Sequence, residues 1–245
     1  NLIGVAISNA AFPQLTERLG EGRLDLFQKD LRSLLRIIFW MALPTSVVIF
    51  FTRGYIVHFI RNTGDQLMAG ILGCLVVAIL FRTIYHMAAR AFYARQDTKT
   101  PLYISVFSIS LNIALAIILT MNLNMGAYGL AWAQSTVAVF EVVILLLVMS
   151  KQMPRMFNRA FVTAIGKMIA ASAVAGVVCY IGVSVMPFRD TDSSFFSAFP
   201  KFTIISIVSF GVYLLMSKLL RLPEVDPILK KGKKLLFGRL DGVWR

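Results

Sequence analysis

The stretch Leu67-Met68-Ala69-Gly70-Ile71-Leu72-Gly73-Cys74-Leu75-Val76-Val77-Ala78-Ile79-Leu80-Phe81 holds no charged residue, and after Arg82 the apolar pattern resumes and runs on to Phe92. A helix needs about 20 mostly apolar residues to cross the hydrocarbon core of a bilayer, within a range of roughly 17–25. Leu67 to Phe92 meets that length. Five runs of similar character lie on either side: Leu34 to Phe51, Pro101 to Met121, Gly126 to Ser150, Phe161 to Met186 and Phe202 to Leu220. None alternates with the period of two that marks a barrel strand, and backbone in lipid must satisfy its own hydrogen bonds. The reading is an all-α, polytopic membrane helical bundle.

Composition supports this. The 245 residues are 58% apolar and 15% charged, where a soluble domain carries about 25% charge. Leu2 to Phe12 reads as the end of another apolar helix, and the first residue is Asn1. The expectation is therefore about seven helices, the first truncated, with no signal peptide. Cys74 and Cys179 sit inside apolar runs without metal-ligand spacing, as packing residues do.

The net charge of +13 is explained by where the bases fall. Counted by alternate connectors, twenty-one Lys and Arg lie in one set: Arg18 to Arg36, then Arg82 to Lys99, then Lys151 to Lys167, then Lys218 to Arg245. The other set holds four, Arg53, Arg61, Arg189 and Lys201. The richer set should face the cytoplasm, which places the C-terminus inside and needs no nucleic acid as partner. Arg23 to Arg36 carries Leu24, Phe27, Leu31, Leu34 and Leu35 at helical spacing among charges, the pattern of an amphipathic helix lying on the cytoplasmic surface. The tail interleaves Lys230, Lys231, Lys233 and Lys234 with apolar residues and suits anionic headgroups. Pro44 is expected to kink its span. Thr100 before Pro101 reads as an N-cap and first helical position.

The two histidines, His58 and His86, are far apart, and no zinc-protease motif, nucleophile triad or phosphate-cradling loop is visible. Catalysis is not expected. The informative residues are polar ones inside spans, where a charge costs about 2.5–3.5 kcal/mol on insertion scales and usually faces a protein interior or an aqueous cavity. Arg82, His86 and Arg90 follow one another at four-residue intervals, a basic stripe suited to an anionic substrate group. The alternative is that the arginines extend to the interface. Asn112 and Gln134, with Ser135 and Thr136, either bond helix to helix or line a cation site. Glu141, the acidic residue well inside a span, offers a proton or cation role, or a buried structural pair. The small residues Ala170, Ala171, Ser172, Ala173, Ala175, Gly176 and Gly182 make a surface for close approach by a helix or a lipid chain.

Arg90-Ala91-Phe92-Tyr93-Ala94-Arg95-Gln96-Asp97-Thr98-Lys99-Thr100-Pro101 resembles the R-x-F-Y-A-x-x-D-T-x-T-P segment of the MurJ/MviN family, the lipid II flippases of peptidoglycan synthesis. Gly4-Val5-Ala6-Ile7 with Ala11-Phe12-Pro13, Leu111-Asn112-Ile113, and Gly129-Leu130-Ala131 fit the same family. The resemblance implies the second half of a 14-helix transporter of the MOP exporter superfamily. Residues 1–150 would form the second lobe, 151–220 two additional helices beside a groove for the undecaprenyl tail, and 221–245 a basic cytoplasmic tail. It implies lipid II as the substrate, a missing N-terminal lobe as the partner across a central cavity, and alternating access in the bacterial cytoplasmic membrane. Some members bind sodium in this lobe. Asn112 matches their Asn, Ala116 stands where their Asp would be, and Gln134 lies near their Thr. No cofactor is expected, and coupling to Na+ or H+ stays open. The competing readings are another exporter of the superfamily and a non-transporting membrane scaffold.

Overall fold

Backbone in hydrocarbon has no water to bond, so each apolar run must close its hydrogen bonds on itself as a helix. The computed structural model describes residues 2–61, 65–153, 156–186 and 195–225, and no strand occurs among them. Chain order gives α1 (Leu2–Gly20), α2 (Leu24–Phe51), α3 (Arg53–Arg61), α4 (Gln66–Ala94), α5 (Lys99–Ile117), α6 (Gly126–Gln152), α7 (Arg159–Val185) and α8 (Phe195–Leu219). A π-helical turn, Ile118–Asn122, extends α5. Six of these, α2 and α4 to α8, are long and apolar enough to cross a membrane, as the hydropathy reading expects. The protein is a multi-pass membrane helical bundle.

Four elements build the main core. Leu15 of α1, Phe27, Leu31, Leu35 and Ile38 of α2, Ile84, Met87, Ala88, Ala91 and Phe92 of α4, and Leu145 and Met149 of α6 are fully buried together. The alanines of α4 are the reason the neighbours come close, since lipid is as apolar as leucine and helices associate by close packing instead. Two smaller cores attach α7 and α8. Trp40 packs with Ala164, Met168, Ala171, Ala175 and Tyr213, and Tyr55 with Cys179, Ala198 and Ile205. The small-residue surface of α7 is thus a packing surface: a Cβ on Gly176 would lie 3.0 Å from Val47 and 3.2 Å from Phe51.

Three local readings change. Arg23 to Arg36 is no separate surface helix, because α2 runs unbroken from Leu24 to Phe51 through Pro44. Phe27, Leu31 and Leu35 of its apolar stripe are buried against α1 and α4, so protein rather than headgroups covers them, while Leu24 at the helix start is exposed. The connector after α2 folds into the short helix α3, which alternate charge counting treats as loop. The capping side chain at the start of α5 is that of Asp97, not Thr100, and the N-cap position itself is held by Thr98, which makes no side-chain cap bond. The Asp97 carboxylate accepts from the Thr100 backbone N–H at 3.1 Å and the Thr100 hydroxyl at 2.7 Å, and the helix begins at Lys99, two residues before Pro101. Those two bonds hold the Asp97 carboxyl below its ordinary range. The tail lysines 230, 231, 233 and 234, with Arg155 and Arg189, lie outside the described residues.

The base-rich connectors are knitted together at one end of the bundle. Arg18 pairs with Asp30 at 3.5 Å, and Arg32 Nε donates to the Met156 carbonyl at 2.9 Å. Arg95 donates to the Gln152 amide oxygen at 2.6 Å, and Lys167 to the Leu220 carbonyl at 3.0 Å. Arg36 reaches Glu224, whose side chain is 7% exposed, at 2.5 Å. At the other end, Gly129 lets α6 approach the π-helical turn: a Cβ there would lie 2.9 Å from the Leu119 backbone carbon and 3.0 Å from its oxygen. Backbone cannot swing aside as a side chain can, so Gly129→Ala should destabilise by about 1–3 kcal/mol. The measurement is the unfolding midpoint in detergent micelles. A midpoint equal to that of the parent would show that the turn yields.

Candidate functional site

Three helices each contribute a polar face to one place. On α5, Ser105, Ser108, Ile109, Asn112 and Ile113 follow helical spacing, and on α6 so do Gln134, Val137 and Glu141. On α4, Arg82 and Tyr85 are one turn apart. These ten residues line a cavity of about 290 Å³ between the three helices. Arg82 lies twelve residues before the end of α4, about 18 Å along the helix axis, and so sits deep within the span.

Two chains of polar contacts cross the cavity. The Gln134 amide lies between Arg82 and Asn112. A guanidinium can only donate, so the amide oxygen belongs on its side, accepting from Nη2 at 2.6 Å and Nε at 3.2 Å. The amide nitrogen then faces the Asn112 side-chain amide 3.1 Å away, and because two amide nitrogens cannot bond as donors alone, this contact requires the Asn112 amide to present its oxygen as well. The second chain runs from Tyr85 to Glu141. The Tyr85 hydroxyl lies 2.7 Å from Ser105 Oγ, and Ser105 Oγ donates to Glu141 Oε1 at 3.2 Å. Glu141 is 7% exposed.

The structure regroups the residues singled out from sequence. Arg82, Asn112, Gln134 and Glu141 come together, although the stripe pattern assigns the arginine to a different role from the other three. His86 and Arg90 do not line the cavity. Successive four-residue steps drift by about 40° around a helix of 3.6 residues per turn, and over eight residues that turns Arg90 toward α1, with its guanidinium 5.8 Å from the centre of the Phe12 ring. The His86 ring stands edge-on to Tyr85, centroids 6.1 Å apart. Ser135 is interhelical glue, donating to the Cys74 carbonyl at 2.6 Å. Tyr85 and Ser105 were missed. The signal was there for Ser105, which shares the face of Ser108 and Asn112, and Tyr85 lies one turn from Arg82.

The sequence profile described as lipid II flippase MurJ matches residues 1–216. The chain belongs to the MurJ family. Among its relatives, a probable lipid II flippase MurJ of Thermotoga maritima is 27% identical over 237 residues, covering 94% of this chain and 45% of the relative. One of Rhizobium tropici is 20% identical over 240 residues, covering 95% and 45%. One of Borreliella burgdorferi is 24% identical over 155 residues, covering 60% and 30%. The chain thus spans about half the length of these two curated MurJ relatives, of Thermotoga maritima and Rhizobium tropici.

With Gln134 committed to a guanidinium, a metal cation beside Asn112 and Gln134 would meet a fixed positive charge. Among the described residues no group of three or more His, Cys, Asp or Glu side chains is placed to hold a metal. The Arg82–Gln134 contact should be measurable. A double-mutant cycle of Arg82→Met with Gln134→Leu is expected to give a coupling energy of about 1 kcal/mol in detergent unfolding. Strict additivity would mean that the two side chains do not depend on each other.

Proposed function

We propose that this chain takes part in moving lipid II, a lipid-linked peptidoglycan precursor, across the bacterial cytoplasmic membrane by alternating access. The observation that carries the reading is a guanidinium held at the wall of a polar cavity within an apolar bundle, in a chain of the MurJ family. A pyrophosphate group matches that chemistry, since charge-assisted hydrogen bonds from a planar guanidinium are strong and directional. Gln134 orients the guanidinium, and the donors it does not engage are those that would meet the headgroup. Transport folds of this kind rock one lobe against another about a midplane site.

In this reading α1 to α6, residues 1–150, form one lobe, and its counterpart supplies the facing wall of the cavity. Residues 151–220 form the added helical pair, with an apolar groove lined by Ile181, Val185, Ile204 and Val208 that suits a lipid tail. The base-rich end faces the cytoplasm, so residues 221–245 and the C-terminus lie inside, against anionic lipids.

The test is the exposure of lipid II on the outer face of cells depleted of their own flippase and supplied with the full-length gene. The parent gene should restore exposure. Loss of hydrogen bonds to a charged group costs about 1.5–3 kcal/mol, so Arg82→Ala should lower exposure about tenfold or more at equal protein level. Arg82→Lys, a point charge without the fork, should recover only part of it. Full activity of Arg82→Ala would remove this residue from substrate binding.

A further inference from the structure

Glu141 is a carboxylic acid group inside a membrane span, 7% exposed, on the wall of the cavity that Arg82 faces. Packing alone does not call for it, because an apolar residue at the same position would avoid the cost of a polar group in hydrocarbon. Nor does it form an ion pair, since the described contacts of its carboxylate are with the Ser105 hydroxyl and none reaches the Arg82 guanidinium. Hard cations are held by several converging oxygen ligands, and this carboxylate has a single hydroxyl. A proton needs only one acceptor and a path.

The path can be read from donor chemistry. Ser105 carries one proton and gives it to Glu141 Oε1, so in the 2.7 Å contact with Tyr85 the phenol is the donor. The two hydroxyls therefore point the same way, from Tyr85 through Ser105 to the carboxylate. We propose that Glu141 is a proton-binding site of this protein, reached from the cavity through the Tyr85–Ser105 hydroxyl pair. The Tyr85 hydroxyl receives a proton from a hydronium ion in the cavity, which is left as water, while passing its own to Ser105 Oγ. Ser105 passes its own to Glu141 Oε1. Each hydroxyl gives one and gains one, and the carboxylate becomes the neutral acid.

The charged and titratable groups facing Glu141 are Arg82 and Tyr85 from α4, and α5 contributes no charged side chain to the cavity wall. With the carboxylate ionised, the charges of Arg82 and Glu141 offset each other. With it protonated, the cavity carries the net positive charge of Arg82. Proton uptake thus favours an anion in the cavity, and by linkage an anion there raises the proton affinity of Glu141 by the same factor. This consequence for transport rests on the reading that Arg82 meets an anionic headgroup, whereas the protonation does not.

The test is infrared difference spectroscopy of the full-length protein in lipid vesicles, titrated with acid and without lipid II. The expected result is a protonated-carboxyl carbonyl band that grows as pH falls and is lost in Glu141→Gln. In Ser105→Ala, which keeps the carboxyl, the same band should move to higher frequency because its hydrogen bond is gone. A band unchanged in Glu141→Gln, or unmoved in Ser105→Ala, would overturn the proposal. So would a titration displaced when sodium replaces choline at constant pH, which would make the site a cation site. Because no lipid II is present, a titrating Glu141 in a protein that fails to expose lipid II would refute the substrate and leave the proton site standing.

Discussion

A polar side chain placed in hydrocarbon must find its partner within the protein, and the placement of Arg82 makes that demand on three helices at once. Its guanidinium, about 18 Å from the end of α4, takes the Gln134 oxygen from α6. Gln134 in turn engages Asn112 of α5, so one charge fixes the facing sides of the span pair beside it. The pairing leaves a cavity rather than a filled core where Ser105, Ser108 and Val137 present short side chains, with Ile109 and Ile113 completing the wall.

Elsewhere the bundle meets the same demand differently. At the base-rich end Arg32 and Lys167 are satisfied by carbonyls, Arg95 by a carboxamide and Arg36 by a carboxylate, which links α2, α4, α6, α7 and the segment after α8. Along α4 the buried alanines let α1, α2 and α6 pack closely. The polar cavity and the close-packed core therefore share one helix, α4, whose two faces serve opposite purposes. A shift of α4 would reach both.

The spans were legible because hydropathy over 20 residues is a strong signal, and the alternation of basic connectors showed which ends meet. Arg82, Asn112, Gln134 and Glu141 were legible as polar residues in lipid, but not as one site. Spacing along a single helix gathers Arg82 with Arg90, whereas contact depends on which neighbour each face meets, and that is a tertiary property. The short helix α3 escaped because Arg53 and Arg61 bound it with charge and nine residues carry little periodic signal. Asp97 and Thr100 are both good capping residues, and only the backbone geometry decides that Asp97 accepts. The amphipathic start of α2 has the pattern of a membrane-surface helix, and the packing of α1 and α4 over Leu31 and Leu35 makes it a core instead.

A transport path through these helices requires the space between α4, α5 and α6 to be aqueous within the membrane. Ile109 and Phe107 of α5 are 60% and 56% exposed, yet only Ile109 lines the cavity. Single cysteines at these positions, in the full-length protein with Cys74 and Cys179 replaced by alanine, can be compared for reaction with a membrane-impermeant maleimide in intact cells and in inverted vesicles. Thiolate forms in water and not in lipid, so Ile109→Cys should label from at least one side and Phe107→Cys from neither. Equal labelling of the two, or none at Ile109→Cys from either side, would contradict a water-filled site and with it a transport path through these helices.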